Sequence, residues 1–444
     1  MTFAGRYWIQ KRIEEENHQP HARLGVLWET RWRALVCISR FTLCVVSHRD
    51  IVGNQSMQAQ KRIYPFMFGR VEDFEPIFEK IKDMERPHDW GEYASAFLDT
   101  AARLTSTAQE EENNGNLQRA SEYYLRASAV YRIARFPIPR HPTQSQAWEL
   151  GKAVCIKGLS LRPNPVAEVR IPFVHAMAGE GSDIPAYHLV PIPAHQGASV
   201  PLVIIFSGLD GLRTELAVWM EGWREIGVAT LVVEIPGTGD CPVNAKDPKA
   251  PDRLYSSLFE WIGTQHTIDQ NRIAVWGFST GAYYAIRVAH THHGKLAGVV
   301  ALGGGCHHMF DETWLRRCDW MEYPFDCAHA LAWKWGYGHN LEEFIQEGQD
   351  RFSLLKDGTL DSSSCAKLLL VNGMEDEIFP IDDYFLALQH GPPKEVRLVP
   401  GRLHMGEPES FGICLKWLHQ VLGIADADVK RQLQALTETP VFYN

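Results

Sequence analysis

The chain lacks the signals that mark membrane spans, nucleic-acid partners and disulfide scaffolds. Over its 444 residues no apolar run reaches the length of a bilayer span. The most apolar stretch, residues 34–46, is broken by Arg40. No basic segment followed by an apolar one opens the sequence, so no secretory signal is predicted and the expected location is the cytosol, including the surface of endosomal vesicles. Positive charge is in deficit: 44 Lys and Arg against 54 Asp and Glu leave a formal net charge of -10. A nucleic-acid partner would need a basic face, so that class is excluded. The nine cysteines form no Cys-x-x-Cys pair, and an odd, scattered set predicts reduced thiols. Histidines at 290, 292, 293, 307 and 308 lack the spacing of a ligand set, so neither a metal nor a cofactor is expected, and the first three are expected to be solvated at a helix end. What remains is 45% hydrophobic and 22% charged, the composition of an ordinary globular protein. Its length predicts a core domain with an accessory one.

The most informative stretch is Gly277-Phe278-Ser279-Thr280-Gly281. It follows the apolar run 272–276 and opens the helical run 282–289, and strand, Gly-x-Ser-x-Gly, helix is the context of a nucleophile elbow. A sharp turn that thrusts the serine out of a strand end leaves no room for Cβ atoms two places either side. A serine hydroxyl near neutral pH needs a base, itself oriented by a carboxylate, and in this arrangement they follow in the order Ser, Asp or Glu, His. Downstream, the apolar run 367–371 ends in Asn372-Gly373, and Asp376 on the following loop is the predicted orienting acid. Asp382 and Asp383 read instead as first-turn residues of the next helix, favourable to its dipole. His404 lies on a loop after the last predicted strand, 396–400, and is the predicted base. The oxyanion needs two main-chain N–H groups, predicted at Thr280, after the serine, and at Leu209, in the glycine-rich loop after the strand 200–206. Asp210, Glu234 and His307 fall near strand ends, where each either contacts substrate or fixes a loop.

Along the chain the period changes. From about residue 71 to 159 apolar residues recur at three and four spacing, a helical pattern. After Pro163 and Pro165 strands alternate with helices, which predicts a mostly parallel sheet with right-handed crossovers. The expected organisation is an all-helical N-terminal cap over residues 1–165 and an α/β-hydrolase domain over 166–444, with a helical insertion at about 308–360. The insertion is rich in Trp and Tyr, including Trp314, Tyr323, Trp333 and Trp335. These rings serve either as the wall of a lid or as packing between layers.

With these residues placed, the chain resembles the fungal Ayg-type hydrolases, which shorten polyketides in pigment and melanin pathways. The resemblance rests on Ile63-Tyr64-Pro65-Phe66, Arg135-Phe136-Pro137, Gly208-Leu209-Asp210-Gly211, Glu234-Ile235-Pro236-Gly237-Thr238, Gly277 to Arg287, Glu322-Tyr323-Pro324-Phe325 and His404-Met405-Gly406. More distantly it is similar to bacterial enzymes with an N-terminal helical cap, a carbon–carbon hydrolase of nicotine breakdown and the fermentation–respiration switch proteins among them. Residues 34–60 depart from the family pattern as an insertion. The resemblance implies hydrolytic cleavage of a carbon–carbon bond in an acylated naphthopyrone-type polyketide, releasing a short ketoacid and a polyhydroxynaphthalene, with the small-molecule substrate as partner and a homodimer allowed. An esterase or transacylase uses the same residues, and a non-catalytic switch or scaffold protein is the alternative from another class.

Overall fold

A computed structural model describes residues 66–81, 89–195, 197–320, 323, 326–425, 428 and 432. The segment 34–60 lies outside the described residues. The chain divides into two compact units, whose described parts are residues 66–167 and 168–432.

The described part of the first unit is helical: α1 (Val71–Ile81), α2 (Trp90–Asn113), α3 (Leu117–Arg135) and α4 (Pro142–Ser160). In α2 the buried residues Tyr93, Ala94, Phe97, Ala101, Leu104 and Ala108 recur at three and four spacing, and Asp89 caps its start through the N–H groups of Gly91 and Glu92. Helix α3 is buried on most of its surface. Its Ser121 hydroxyl donates to the Gly158 carbonyl of α4 at 2.7 Å, and its Arg126 meets Asp73 of α1 through two bonds, at 3.0 and 2.6 Å, in a buried pair. Removing one partner of such a pair costs about 3–5 kcal/mol, because the other charge is left buried alone.

The second unit is an eight-stranded sheet in the order β1-β2-β4-β3-β5-β6-β7-β8. Its strands are β1 (Ala167–Pro172), β2 (Asp183–Leu189), β3 (Val200–Phe206), β4 (Ala229–Val233), β5 (Ile268–Phe278), β6 (Gly298–Leu302), β7 (Leu368–Gly373) and β8 (Glu395–Val399). Strand β2 pairs antiparallel with β4, and every pairing from β4 to β8 is parallel. The central strands β3, β4, β6 and β7 are buried along their whole length, which is why they read as unbroken apolar runs. This is the α/β-hydrolase fold. Among the described residues no helix is long and apolar enough to cross a membrane.

Helix α5 (Ala250–Gly263) precedes β5, and α6 (Thr280–Thr291) follows it. Between β6 and β7 lie α7 (Cys327–Lys334) and α8 (Leu341–Phe352) with shorter turns. The insertion's Trp335 is a packing residue: its ring lies 5.0 Å from Tyr283, 5.9 Å from Tyr284 and 4.4 Å from Phe352. His290, expected to be solvated, is 3% exposed, and burial lowers its pKa to about 4.

Tyr284 is core, as its helical position predicts, but it also accepts a hydrogen bond from Lys334 Nζ. That amine is fully buried, 3.4 Å from the centre of the Trp335 ring. Burial holds its pKa well below 10.5 and so favours the neutral amine in the fold. Below 10.5 the unfolded chain therefore binds more protons at this position than the folded chain, and stability rises as pH climbs towards 10.5. Lys334→Met is therefore expected to raise the unfolding midpoint near pH 7 and to flatten its rise towards about pH 9. Denaturant unfolding at both pH values measures this, and equal slopes for the two proteins would show that the amine stays charged.

Candidate active site

Ser279 stands between β5 and α6 with φ 54° and ψ -124°, a backbone state that costs a non-glycine residue about 1–3 kcal/mol. The surroundings enforce it. The Ser279 N–H donates to the Leu302 carbonyl of β6 at 2.7 Å, and its own carbonyl accepts from the Ala282 N–H at 2.8 Å. A Cβ at Gly277 would lie 2.5 Å from the Gly281 carbonyl oxygen, and one at Gly281 would lie 2.2 Å from that of Ser207. Both glycines are thus demanded by close backbone approach, the physical content of the Gly-x-Ser-x-Gly spacing.

The structure brings Ser279, His404 and Asp376 into one hydrogen-bonded line. His404 Nε2 is 2.9 Å from Ser279 Oγ, and His404 Nδ1 is 2.9 Å from Asp376 Oδ2. A carboxylate only accepts, so Nδ1 carries the proton and Nε2 is left to accept from the serine hydroxyl. Asp376 is fully buried at the end of the β7 loop, where its Oδ1 accepts from the N–H groups of Ile378 at 2.7 Å and Phe379 at 3.0 Å. The Phe379 ring lies against the imidazole, 5.7 Å between centres. Such a line can move a proton from the serine oxygen to the imidazole as the oxygen attacks a carbonyl carbon.

The loop after β3 runs beside the serine: a Cβ at Gly208 would be 3.3 Å from Ser279 Cβ and 3.8 Å from its Oγ. The Gly208 N–H is spent on the Gly211 carbonyl at 2.9 Å. The N–H groups of Leu209 and Thr280 enter none of the turn bonds among the described residues.

The three auxiliary residues separate. Asp210 Oδ2 accepts from the Tyr323 hydroxyl of the insertion at 2.7 Å. His307 Nδ1 lies 2.6 Å from Ser353 Oγ, and its ring lines an open cleft of about 510 Å³ with His308, Asp311 and Gln349. Of the two roles expected of Glu234, the geometry favours fixing a loop. It is 2% exposed, and both its oxygens take Arg213 Nη1 at 2.8 Å. Arg213 also reaches Asp240 at 2.8 Å and Glu168 at 3.1 Å, so the Glu234 carboxylate braces the loops through this arginine. Burial works against the Arg213 charge, but the Glu234 and Asp240 carboxylates more than offset it and raise its pKa.

Two further residues escape the motif reading. Asp383, on helix α9 (Asp382–Gln389), does more than favour its own helix dipole. Its carboxylate accepts three main-chain N–H groups from the loop after β6: His307 at 2.9 Å, His308 at 2.6 Å and Met309 at 3.0 Å. Asn372, at the end of β7, bonds both to Asp376 and to the loop that carries His404. An apolar run followed by Asn-Gly signals a turn and nothing about what the amide touches. The insertion also reaches the acid loop, since Trp314 Nε1 donates to the Ile378 carbonyl at 3.1 Å.

Comparison with known proteins agrees with this fold. Residues 93–399 match the family described as FrsA-like, esterase FrsA-like. The hydrolase LUC6 of a Fusarium species is 26% identical over 350 residues, 71% of this chain and 78% of that protein. The α/β-hydrolase psoB of Aspergillus fumigatus is 26% identical over 400 residues, 78% of this chain and 87% of that one. Among solved structures, 2,6-dihydroxy-pseudo-oxynicotine hydrolase superposes with a TM-score of 0.61 at 17% identity, covering 84% of this chain and 95% of its own. AbyA5 gives 0.61 at 16% identity, covering 91% and 99%.

Proposed function

Because the chain belongs to the FrsA-like esterase family and is a hydrolase by fold and relatives, we propose that Ser279, His404 and Asp376 form a catalytic triad that cleaves an acylated polyketide of the naphthopyrone type at a carbon–carbon bond. The observation that carries the proposal is the unbroken line from the serine oxygen through both imidazole nitrogens to a fully buried carboxylate, 2.9 Å at each step.

In this mechanism His404 Nε2 takes the Ser279 proton as Oγ adds to a side-chain ketone. The N–H groups of Leu209 and Thr280 hold the resulting oxyanion. Collapse breaks the bond to the adjacent carbon, and the electron pair leaves as an enolate or a phenol-conjugated carbanion. That carbon takes the proton back from His404. Water, deprotonated by the same imidazole, then releases the acyl group as a carboxylic acid and restores Ser279. Delocalisation of the leaving electron pair is what makes a polyketide a competent substrate. The resemblance to the pigment-pathway hydrolases is what supports that substrate class.

An ester-cleaving enzyme would use the same residues with oxygen as the leaving atom, and the family description favours it as the second reading. Purified protein offered β-diketone polyketides and aryl esters in parallel, with products identified by mass spectrometry, separates the two. A ketoacid and a shortened aromatic are the expected products. Rapid ester turnover with inert diketones would replace the carbon–carbon assignment. Covalent labelling by a fluorophosphonate, lost in Ser279→Ala, is expected of either enzyme and would fail for a scaffold protein.

A further inference from the structure

The loops that carry the acid and the base are far apart in sequence yet must hold their side chains to within a fraction of an ångström. Asn372 joins them. It is 1% exposed, and both ends of its amide are used. Nδ2 donates to Asp376 Oδ2 at 2.7 Å, the same oxygen that accepts from His404. Oδ1 accepts from the Met405 N–H at 3.0 Å and from the Gly373 N–H at 2.9 Å. Met405 directly follows His404 and has φ 65°, a left-handed state that a non-glycine residue keeps only when its surroundings impose it. Its bond to Asn372 is one of those restraints. Two main-chain bonds also join the loops, Met374 N–H to the Val399 carbonyl at 3.0 Å and Glu375 N–H to the Arg402 carbonyl at 2.9 Å, and the Phe379 ring lies against the imidazole, but none of these makes a hydrogen bond to a triad side chain.

We infer that Asn372 is a positioning residue of the active site, the side chain that sets the acid carboxylate and the histidine loop in register. This rests on the triad proposed above. With its oxygen spent on two main-chain donors, the amide can present only its NH2 group to Asp376. The acid is thereby given a donor on the oxygen that it shares with the imidazole, and its rotamer is fixed.

Two substitutions divide the role. Asn372→Leu removes both halves of the clamp and is expected to lower kcat/KM about a hundredfold, the scale of a misplaced reacting group. Asn372→Asp keeps the acceptor for Met405 and Gly373 but sets a second carboxylate against Asp376. Two carboxylates so close hold one proton between them, and when both ionise they stabilise the imidazolium. The acid limb of the kcat/KM profile is therefore expected to move up by about one pH unit. The other titratable or charged groups near the clamp are Glu375 and Glu377 on the acid loop, Arg402, Glu407 and Glu409 around the histidine loop, and Tyr384, which feels the Asp376 charge. Neither substitution alters them.

The assay is aryl-ester hydrolysis across pH by the full chain, with unfolding midpoints and Ser279→Ala alongside. A Ser279→Ala protein that still turns over ester would sink the triad and this inference together. If Ser279→Ala is dead while both Asn372 variants keep the original rate and acid limb, the triad stands and the positioning role is overturned. Should the leucine variant fail to fold, the acid limb of the aspartate variant decides alone.

Discussion

Ser279→Ala is expected to reduce kcat by about a million-fold, the loss seen when a serine nucleophile is removed from a triad that acts as a unit. Only the hydroxyl disappears. The bend at φ 54° is imposed by the Leu302 carbonyl and by the contacts that exclude a Cβ at Gly277 and Gly281, so the elbow and its N–H groups remain. What rate survives reports the oxyanion donors and substrate binding, and this residue should not fall further when His404 is also replaced. Single-turnover measurements on the single and double variants check this. Independent, multiplying losses would mean that serine and histidine do not act on the same proton.

Asp376→Asn carries the second largest expectation, a loss in kcat of about ten-thousand-fold with little change in the fold. The geometry leaves an amide no acceptable orientation. With its NH2 in the place of Oδ1, it faces the donors of Ile378 and Phe379 at a fully buried position. In the place of Oδ2, it faces the Asn372 NH2 and the imidazole Nδ1. Asn372 cannot turn over to help, because its oxygen is held by Met405 and Gly373. The imidazole then moves its proton to Nε2, and that nitrogen can no longer accept from serine. The test is kcat on an aryl ester, read beside the unfolding midpoint. A loss smaller than about tenfold in a well-folded variant would remove Asp376 from the mechanism.

Much of this site could be read from the chain because its parts are local patterns. The elbow is a five-residue string whose spacing follows from sterics within one turn. The strands at 200–206 and 298–302 are continuous apolar runs because both of their faces are covered. The order of serine, acid and histidine then follows the order of strands in a parallel sheet. Strand ends were less legible: β5 begins at Ile268, four residues ahead of the apolar run, because Ile268 pairs with Val200 of β3 and the polar residues after it fall at a register shift before Ile273 meets Leu202. The insertion's aromatics divided in a way that no pattern indicates. Trp335 packs behind the elbow helix, whereas Trp314 ties the insertion to the acid loop.

By itself the sequence determined the elbow, the alternation of strand and helix, and three side chains at the ends of β5, β7 and β8 suited to nucleophile, acid and base. Only the tertiary structure decided what the remaining polar residues do. Glu234, Asn372 and Asp383 all sit beside strand or helix ends, where a carboxylate or an amide fits a cap, a turn or a ligand equally well. Their partners, Arg213, Met405 and the loop at 307–309, come from elsewhere in the chain. Hydrophobic periodicity specifies which face of an element is buried. It carries no information about which distant donor will satisfy a buried oxygen, and that is settled only when the loops are packed together.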